Sequence, residues 1–299
     1  MNTKSKYTLI ILFIVILFST LFITLTRVEK FLDKISGAYS LGNIIVLWYY
    51  NAYVSEETYN KTPRDFNYVT ATQLVEGLDD RTFGKYITTT TPYPQLPSVP
   101  DIFLSKSNLW WWDSYDNIKA VYPYFTDALR FAIASFNDWE FTDTIQEDTC
   151  VIHMRLGDFL SVSSQPVKIS DMIAALDRLP KNPKKFEILN GGKFHFTNED
   201  SLKKTNEILD SLEKGIHNKF PDAEIVQIDS ENADKDFYRA VKAPMLVTST
   251  GSFAIMAAVA NKNFRLTPAL KILDQTANTS HIIPSENIYE DWYTYDISS

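Results

Sequence analysis

Cys150-Val151-Ile152-His153-Met154-Arg155-Leu156-Gly157-Asp158-Phe159 is the stretch whose reading decides the fold. Cys150 to Ile152 is apolar and partly β-branched and reads as a short buried strand. The run then breaks into His153, Arg155 and Asp158, with Gly157 permitting a turn. A strand that ends in polar groups delivers them to the carboxyl edge of a sheet, where open α/β folds bind their ligands. Arg155 is a permanent cation with a planar fork of donors, suited to a phosphate. His153 can exchange a proton or donate a hydrogen bond near neutral pH. The plainer reading of the same residues is an ion pair at a strand end, Arg155 with Asp158.

Toward the carboxyl terminus, helix and strand alternate. Residues 170–179 read as a helix capped by Ser170 and stopped by Pro180, and 186–189 as a strand. Thr197 caps a long helix to Phe220, with Leu202, Leu209, Leu212, Ile216 and Phe220 on one face. Strands follow at 224–228, 245–248 and 264–266, with helices at 234–243 and 252–260 between them. Such alternation with short links predicts a parallel sheet with helices on both faces. Asn190-Gly191-Gly192 lacks the Gly-x-Gly-x-x-Gly spacing and opens no helix, so it reads as a turn without a cofactor role.

Thr248-Ser249-Thr250-Gly251-Ser252-Phe253 is the second informative stretch: a strand end, small hydroxyl residues, then a helix amino terminus. Free backbone N–H groups beside hydroxyls make an anion site fit for a diphosphate. Ordinary capping of the helix by Ser249 or Ser252 would use the same residue types. Asp234-Lys235-Asp236 has the form of a metal-holding Asp-x-Asp, but it opens a helix, where carboxylates meet the dipole favourably. Capping is the expectation there, and no metal is predicted.

Upstream, residues 124–139 read as an amphipathic helix with Phe125, Leu129, Ala132, Ile133 and Phe136 inward. Residues 88–100 are rich in Thr and Pro and read as an extended loop. Trp110-Trp111-Trp112 cannot all face one core; an acceptor platform and a clamp between domains both remain open. Leu41-Gly42-Asn43 reads as a turn before an apolar helix over 44–53. Residues 7–26 carry no charge, enough for a span of about 30 Å, the thickness of the hydrocarbon core. Lys4 and Lys6 precede them, which by the positive-inside rule puts the amino terminus in the cytoplasm. A signal anchor with a lumenal domain follows, since a cleaved signal peptide would be shorter and end in a small-x-small site. Asn60-Lys61-Thr62 and Asn278-Thr279-Ser280 are glycosylation sequons consistent with that orientation.

With 299 residues, 45% hydrophobic and 22% charged, the chain is ordinary globular material beyond its anchor. A formal charge of −8 argues against nucleic acid as a partner, which requires basic patches. The single cysteine, Cys150, excludes an intrachain disulfide and reads as a packed core residue.

His153-Met154-Arg155-Leu156-Gly157-Asp158 resembles the His-x-Arg-Arg-x-Asp motif of fucosyltransferases, of the α-1,2 and protein O-fucosyltransferase kind. The departure is Leu156, where many members carry a second Arg. Leu41-Gly42-Asn43 is similar to the Gly-Asn loop that opens that catalytic domain. Asp236-Phe237 followed by Ser249-x-Gly251-Ser252-Phe253 is similar to its late motif. The resemblance implies an α/β protein with two Rossmann-like domains (GT-B type) after an amino-terminal transmembrane helix. Its parts would be a cytoplasmic tail 1–6, an anchor 7–26, a short stem 27–40, an acceptor-side half 41–149 and a nucleotide-sugar half 150–299. It implies GDP-fucose as donor substrate, a glycan or glycoprotein acceptor, and inverting transfer without metal or other cofactor. His153, Arg155 and Asp158 would be catalytic. Gly42, Asn43, Arg155, Ser249, Thr250, Gly251, Ser252 and Phe253 would bind the donor. The setting would be the Golgi or endoplasmic reticulum. A catalytically inactive binding module of the same fold, and transfer from another sugar nucleotide, remain as alternatives.

Overall fold

The computed structural model describes residues 41–42, 44–45, 82–89, 126–139, 144–156, 160, 167–190, 199–228, 232–268, 271–273, 280–282 and 292–295. All of them belong to one compact unit, Ser40–Ser299. The anchor expected at 7–26, the tryptophan triplet and both sequons lie outside the described residues. Among those described, no helix is long and apolar enough to cross a membrane.

A six-stranded, wholly parallel sheet organises this unit. It contains β1 (Thr149–His153), β2 (Lys185–Leu189), β3 (Glu224–Ile228), β4 (Met245–Thr248), β5 (Phe264–Pro268) and β8 (Trp292–Tyr295). β6 (Lys271–Leu273) and β7 (Ser280–Ile282) pair separately and antiparallel. The strand order is β3-β2-β1-β4-β5-β8. The chain therefore builds outward from β1 to β3, returns to the other side of β1 with β4, and continues outward. β1 is central and buried at all five positions, as its apolar sequence requires. The predicted α/β class, with its parallel sheet, is observed. β8 has no counterpart among the sequence expectations, because its four residues, Trp292-Tyr293-Thr294-Tyr295, carry no clear apolar–polar alternation.

Helices cover both faces. α3 (Ile169–Ala175) and α4 (Glu199–Lys219) lie on the face that carries Cys150, Ile152, Phe186, Ile188, Met245, Val247 and Leu266. Complete burial of a side chain such as Ile152 contributes about 1.5–3 kcal/mol. α5 (Ala233–Lys242) and α6 (Ser252–Ala260) take the opposite face. There Glu187 of β2 meets Arg239 of α5 at 2.7 Å, and Arg265 of β5 donates to the carbonyls of Ala258 and Asn261. Arg130 adds two more donors to the same helix end, at Ala260 and Asn261. Cations thus meet the negative end of α6. The Asn261 side-chain amide also bonds Ala240 and Ala243, tying the ends of α5 and α6 together.

Several local expectations change. α3 is preceded by Lys168 without a side-chain cap, and Ser170 lies inside the helix; the helix tightens to a 3₁₀ turn at Leu176–Arg178 before Pro180. The buried face of α4 is Ser201, Thr205, Leu209, Leu212 and Ile216, while Leu202 is 43% exposed. Those five follow steps of four and three; Leu202 stands about 100° round the helix from Ser201. α3 can approach α4 because position 215 is glycine: a Cβ there would stand 2.7 Å from Ile173 Cγ1.

Before β1, the described residues form helix and no strand. Leu41, Gly42, Ile44 and Ile45 are helical and buried, so Gly42 lies in a helix and not in the expected turn. α1 (Phe83–Thr89) takes in Thr88 and Thr89, where the sequence predicts extended loop. α2 spans 126–135, with Leu129, Ala132 and Ile133 buried as predicted, and Phe136 buried just beyond it. Phe83 of α1 stacks on Phe237 of α5 at 5.9 Å, and its amide donates to Asp234 at 2.7 Å. Phe83 thus ties α1 to α5, as Arg130 ties α2 to the end of α6. The expected second Rossmann-like sheet lies outside the described residues.

Candidate functional site

The strand order reverses between β1 and β4, the point at which open α/β sheets leave a crevice beyond their strand ends. In register, His153 pairs with Thr248, so the two polar stretches singled out in the sequence leave the sheet side by side. A crevice outside the carboxyl ends of the strands at such a switch point is where open α/β sheets bind ligands.

Two hydrogen bonds lock the strand ends together. The Ser249 amide donates to the His153 carbonyl at 2.8 Å. The Arg155 amide donates to Ser249 Oγ at 2.6 Å. Met154 is held on the other side by the Leu189 carbonyl at 2.8 Å. Ser249 is buried, and its hydroxyl serves the strand-end loop, not the helix.

The cap residue of α6 is Gly251, at φ 108° and ψ 158°, and it offers no side-chain bond to the helix amides. That backbone region is essentially closed to residues with a Cβ. The capping role considered for Ser249 is thus not the one observed, and the Ser252 side chain lies outside what is described. Thr250 completes the turn between Ser249 and Gly251. No acidic residue stands in the first turn of α6. The start of a helix carries unsatisfied N–H groups and the positive end of the dipole. Arg155 lies against this point: a Cβ at Gly251 would stand 3.6 Å from Arg155 Cγ and 3.8 Å from Cδ. The stem of a cationic residue and the start of a helix thus lie together, a combination that suits an anion with several oxygens.

His153 is buried, and its ring stacks on Phe253 at 4.8 Å and 21°. Burial, followed by the nearby Arg155 charge, lowers its pKa to about 3, so the imidazole is neutral at physiological pH. Among the described residues, His153 Nδ1 and Thr248 Oγ1 have no hydrogen-bond partner. Phe253 in turn meets Phe237 edge-on at 5.6 Å, which joins the site to the aromatic layer around Phe83. Cys150 is sealed in the core, where burial pushes its thiol far above the ordinary range and leaves it no nucleophilic role.

The structure brings together His153, Arg155, Ser249, Thr250, Gly251 and Phe253. Asn43, Gly157 and Asp158 lie outside the described residues, and Gly42 is buried in its helical segment. Leu156 is buried in the core cluster that also holds Met154, Val167 and Met172. Asp234 accepts from the first amide of α1, and the cap of α5 is Asn232, whose side chain accepts from Asp234 and Lys235 amides. Tyr295 is a site residue that the sequence does not announce. Tyr295 Oη donates to the Thr248 carbonyl at 2.8 Å, and nothing in the local sequence around Tyr295 announces a contact 47 positions away. Comparison with family models, with curated proteins and with solved structures gives no match.

Proposed function

We propose that this crevice binds the diphosphate of a nucleotide sugar and that the chain is a membrane-anchored, inverting glycosyltransferase of fucosyltransferase type. GDP-fucose is the donor that the sequence resemblance implies, and a glycan or glycoprotein is the acceptor. The observation that carries the reading is the stem of Arg155 lying along Gly251 at the amino terminus of α6. The order β3-β2-β1-β4-β5-β8 supports a Rossmann-like carboxyl-terminal half. The second such half of a GT-B enzyme, the type II orientation and the Golgi or endoplasmic reticulum setting belong to this proposal.

In the reaction, an acceptor hydroxyl oxygen attacks the anomeric carbon of the sugar as the bond from that carbon to the diphosphate oxygen breaks. The electron pair leaves with the diphosphate, and the hydroxyl proton passes to a base. Arg155 and the α6 amides stand where the departing charge grows, so their attraction strengthens in the transition state. Of the two roles open to His153, positioning fits its environment. A neutral, buried imidazole with a pKa of about 3 is a poor proton acceptor at neutral pH.

A binding module without transfer activity is the second reading, and Leu156 favours it. The position at which the family carries a second Arg faces the core here, which leaves Arg155 as the cation the motif supplies.

The test is GDP-fucose affinity and fucose transfer for wild type, Arg155→Ala and Arg155→Lys, with circular dichroism as folding control. A charge-assisted contact of roughly 1.5–3 kcal/mol predicts a ten- to hundred-fold loss in Arg155→Ala. Arg155→Lys keeps the charge without the fork and recovers part. Wild-type transfer that is indifferent to Arg155→Ala would falsify the assigned role. Binding without transfer in wild type selects the binding module.

A further inference from the structure

The peptide unit between Thr248 and Ser249 lies at the end of β4, beside the end of β1, and is held from both sides. Its N–H, on Ser249, donates to the β1 carbonyl of His153 at 2.8 Å. Its carbonyl, on Thr248, points the opposite way, toward β5. Register there runs Leu246 to Arg265 and Val247 to Leu266. Continued by two residues, the parallel ladder would serve the Thr248 carbonyl with the amide of residue 268. That residue is Pro268, which has no N–H. A buried carbonyl at the end of β4 therefore loses its regular donor, a deficit that folded proteins rarely leave unfilled.

The donor comes from the next strand. Tyr295 of β8 is the register partner of Pro268, and its hydroxyl reaches past the proline to the Thr248 carbonyl at 2.8 Å. Tyr295 is 4% exposed and packed in the core on the α3 and α4 face. Burial and the charge of Asp171 raise its pKa, so the hydroxyl keeps its proton and remains a donor across the working pH range.

We infer that Tyr295 is a positioning residue of the crevice: its hydroxyl replaces the amide that Pro268 lacks and so holds the Thr248–Ser249 peptide beneath the amino terminus of α6. The consequence reaches the ligand side through Ser249. Rotation of that peptide would draw the Ser249 amide off His153 and carry its hydroxyl away from the Arg155 amide. Arg155 and the turn at Gly251 would then lose their common anchor. The ligand arm of the test below rests on the proposed nucleotide-sugar function; the exchange arm does not.

The experiment compares the full chain with Tyr295→Phe and with the double variant Tyr295→Phe/Pro268→Ala. Phe keeps the packing and removes only the hydroxyl, while Ala at position 268 restores a backbone donor to β5. Amide hydrogen exchange is read at Ser249 and Arg155, and GDP affinity by calorimetry. In Tyr295→Phe, loss of one hydrogen bond is expected to speed exchange at both amides by about fivefold and to weaken GDP binding by a similar factor. Amides in the middle of β2 should be unchanged. The double variant should recover both properties toward wild type, which a merely structural loss of core packing would not do. Unchanged exchange at Ser249 in Tyr295→Phe, or a double variant no better than the single one, overturns the inference. If wild type binds no GDP, the nucleotide-sugar reading fails while the exchange rates still decide the role of Tyr295.

Discussion

The amide of Arg155 donates to the hydroxyl oxygen of Ser249 at 2.6 Å, joining the ends of β1 and β4 across 94 positions of sequence. Ser249 returns the contact through its own amide, which donates to the carbonyl of His153. The pair ties two polar strand ends to each other at one edge of the sheet.

Ser249→Ala should leave the Arg155 amide without its acceptor in a partly buried setting. The expected loss of stability is about 1–3 kcal/mol by urea denaturation, because an unsatisfied buried donor bears its full desolvation cost. Ser249→Thr keeps a hydroxyl and should recover part of it. Wild-type stability in Ser249→Ala would mean that the bond does not hold the loop.

Gly251→Ala tests the turn itself. The space is open, since an added Cβ would make ordinary contacts of 3.6 and 3.8 Å with Arg155. The backbone at φ 108° is the obstacle, with a strain of about 1–3 kcal/mol for a residue with a side chain. Relief of that strain should move the start of α6, so stability and GDP affinity are expected to fall together. Gly215→Ala is the control: it crowds Ile173 on the opposite face of the sheet and should lower stability alone. An affinity that survives Gly251→Ala intact would detach the ligand from the helix terminus.

His153 predicts a pH dependence with a definite sign. Its folded pKa of about 3 lies below the ordinary 6.5, so the unfolded chain binds a proton that the folded chain refuses. Its share of stability is fully present above pH 6.5 and is lost as pH falls from there toward 3. Between about pH 7.5 and about pH 5 the loss should be about 2 kcal/mol. His153→Phe retains the ring stacked on Phe253 and removes the titration, so it should flatten that part of the profile. Denaturation curves at the two pH values provide the measurement; equal slopes for the two proteins would show that His153 is not the buried neutral group.

The same residues separate what was legible in the sequence from what was not. Apolar runs bounded by turn residues located β1 to β5, and the residues at their ends, His153, Arg155 and Ser249 to Phe253, pointed to one sheet edge. Local rules suffice there, because a buried strand and the helix after it are encoded within about ten consecutive residues. Long-range pairing is a different matter. The reversal of strand order at β1, the hydroxyl of Ser249 serving Arg155 instead of a cap, and Leu156 facing the core depend on which strands become neighbours and in what register. Tyr295 is the extreme case. Its sequence surroundings show a tyrosine near the end of the chain; its hydroxyl acquires a function only because β8 pairs with β5 at Pro268, where the sheet lacks a backbone donor. Sequence determined the elements and their polar ends, while tertiary structure alone decided which buried donor meets which buried acceptor, since each such group takes its partner from whatever the packed sheet brings within about 3 Å.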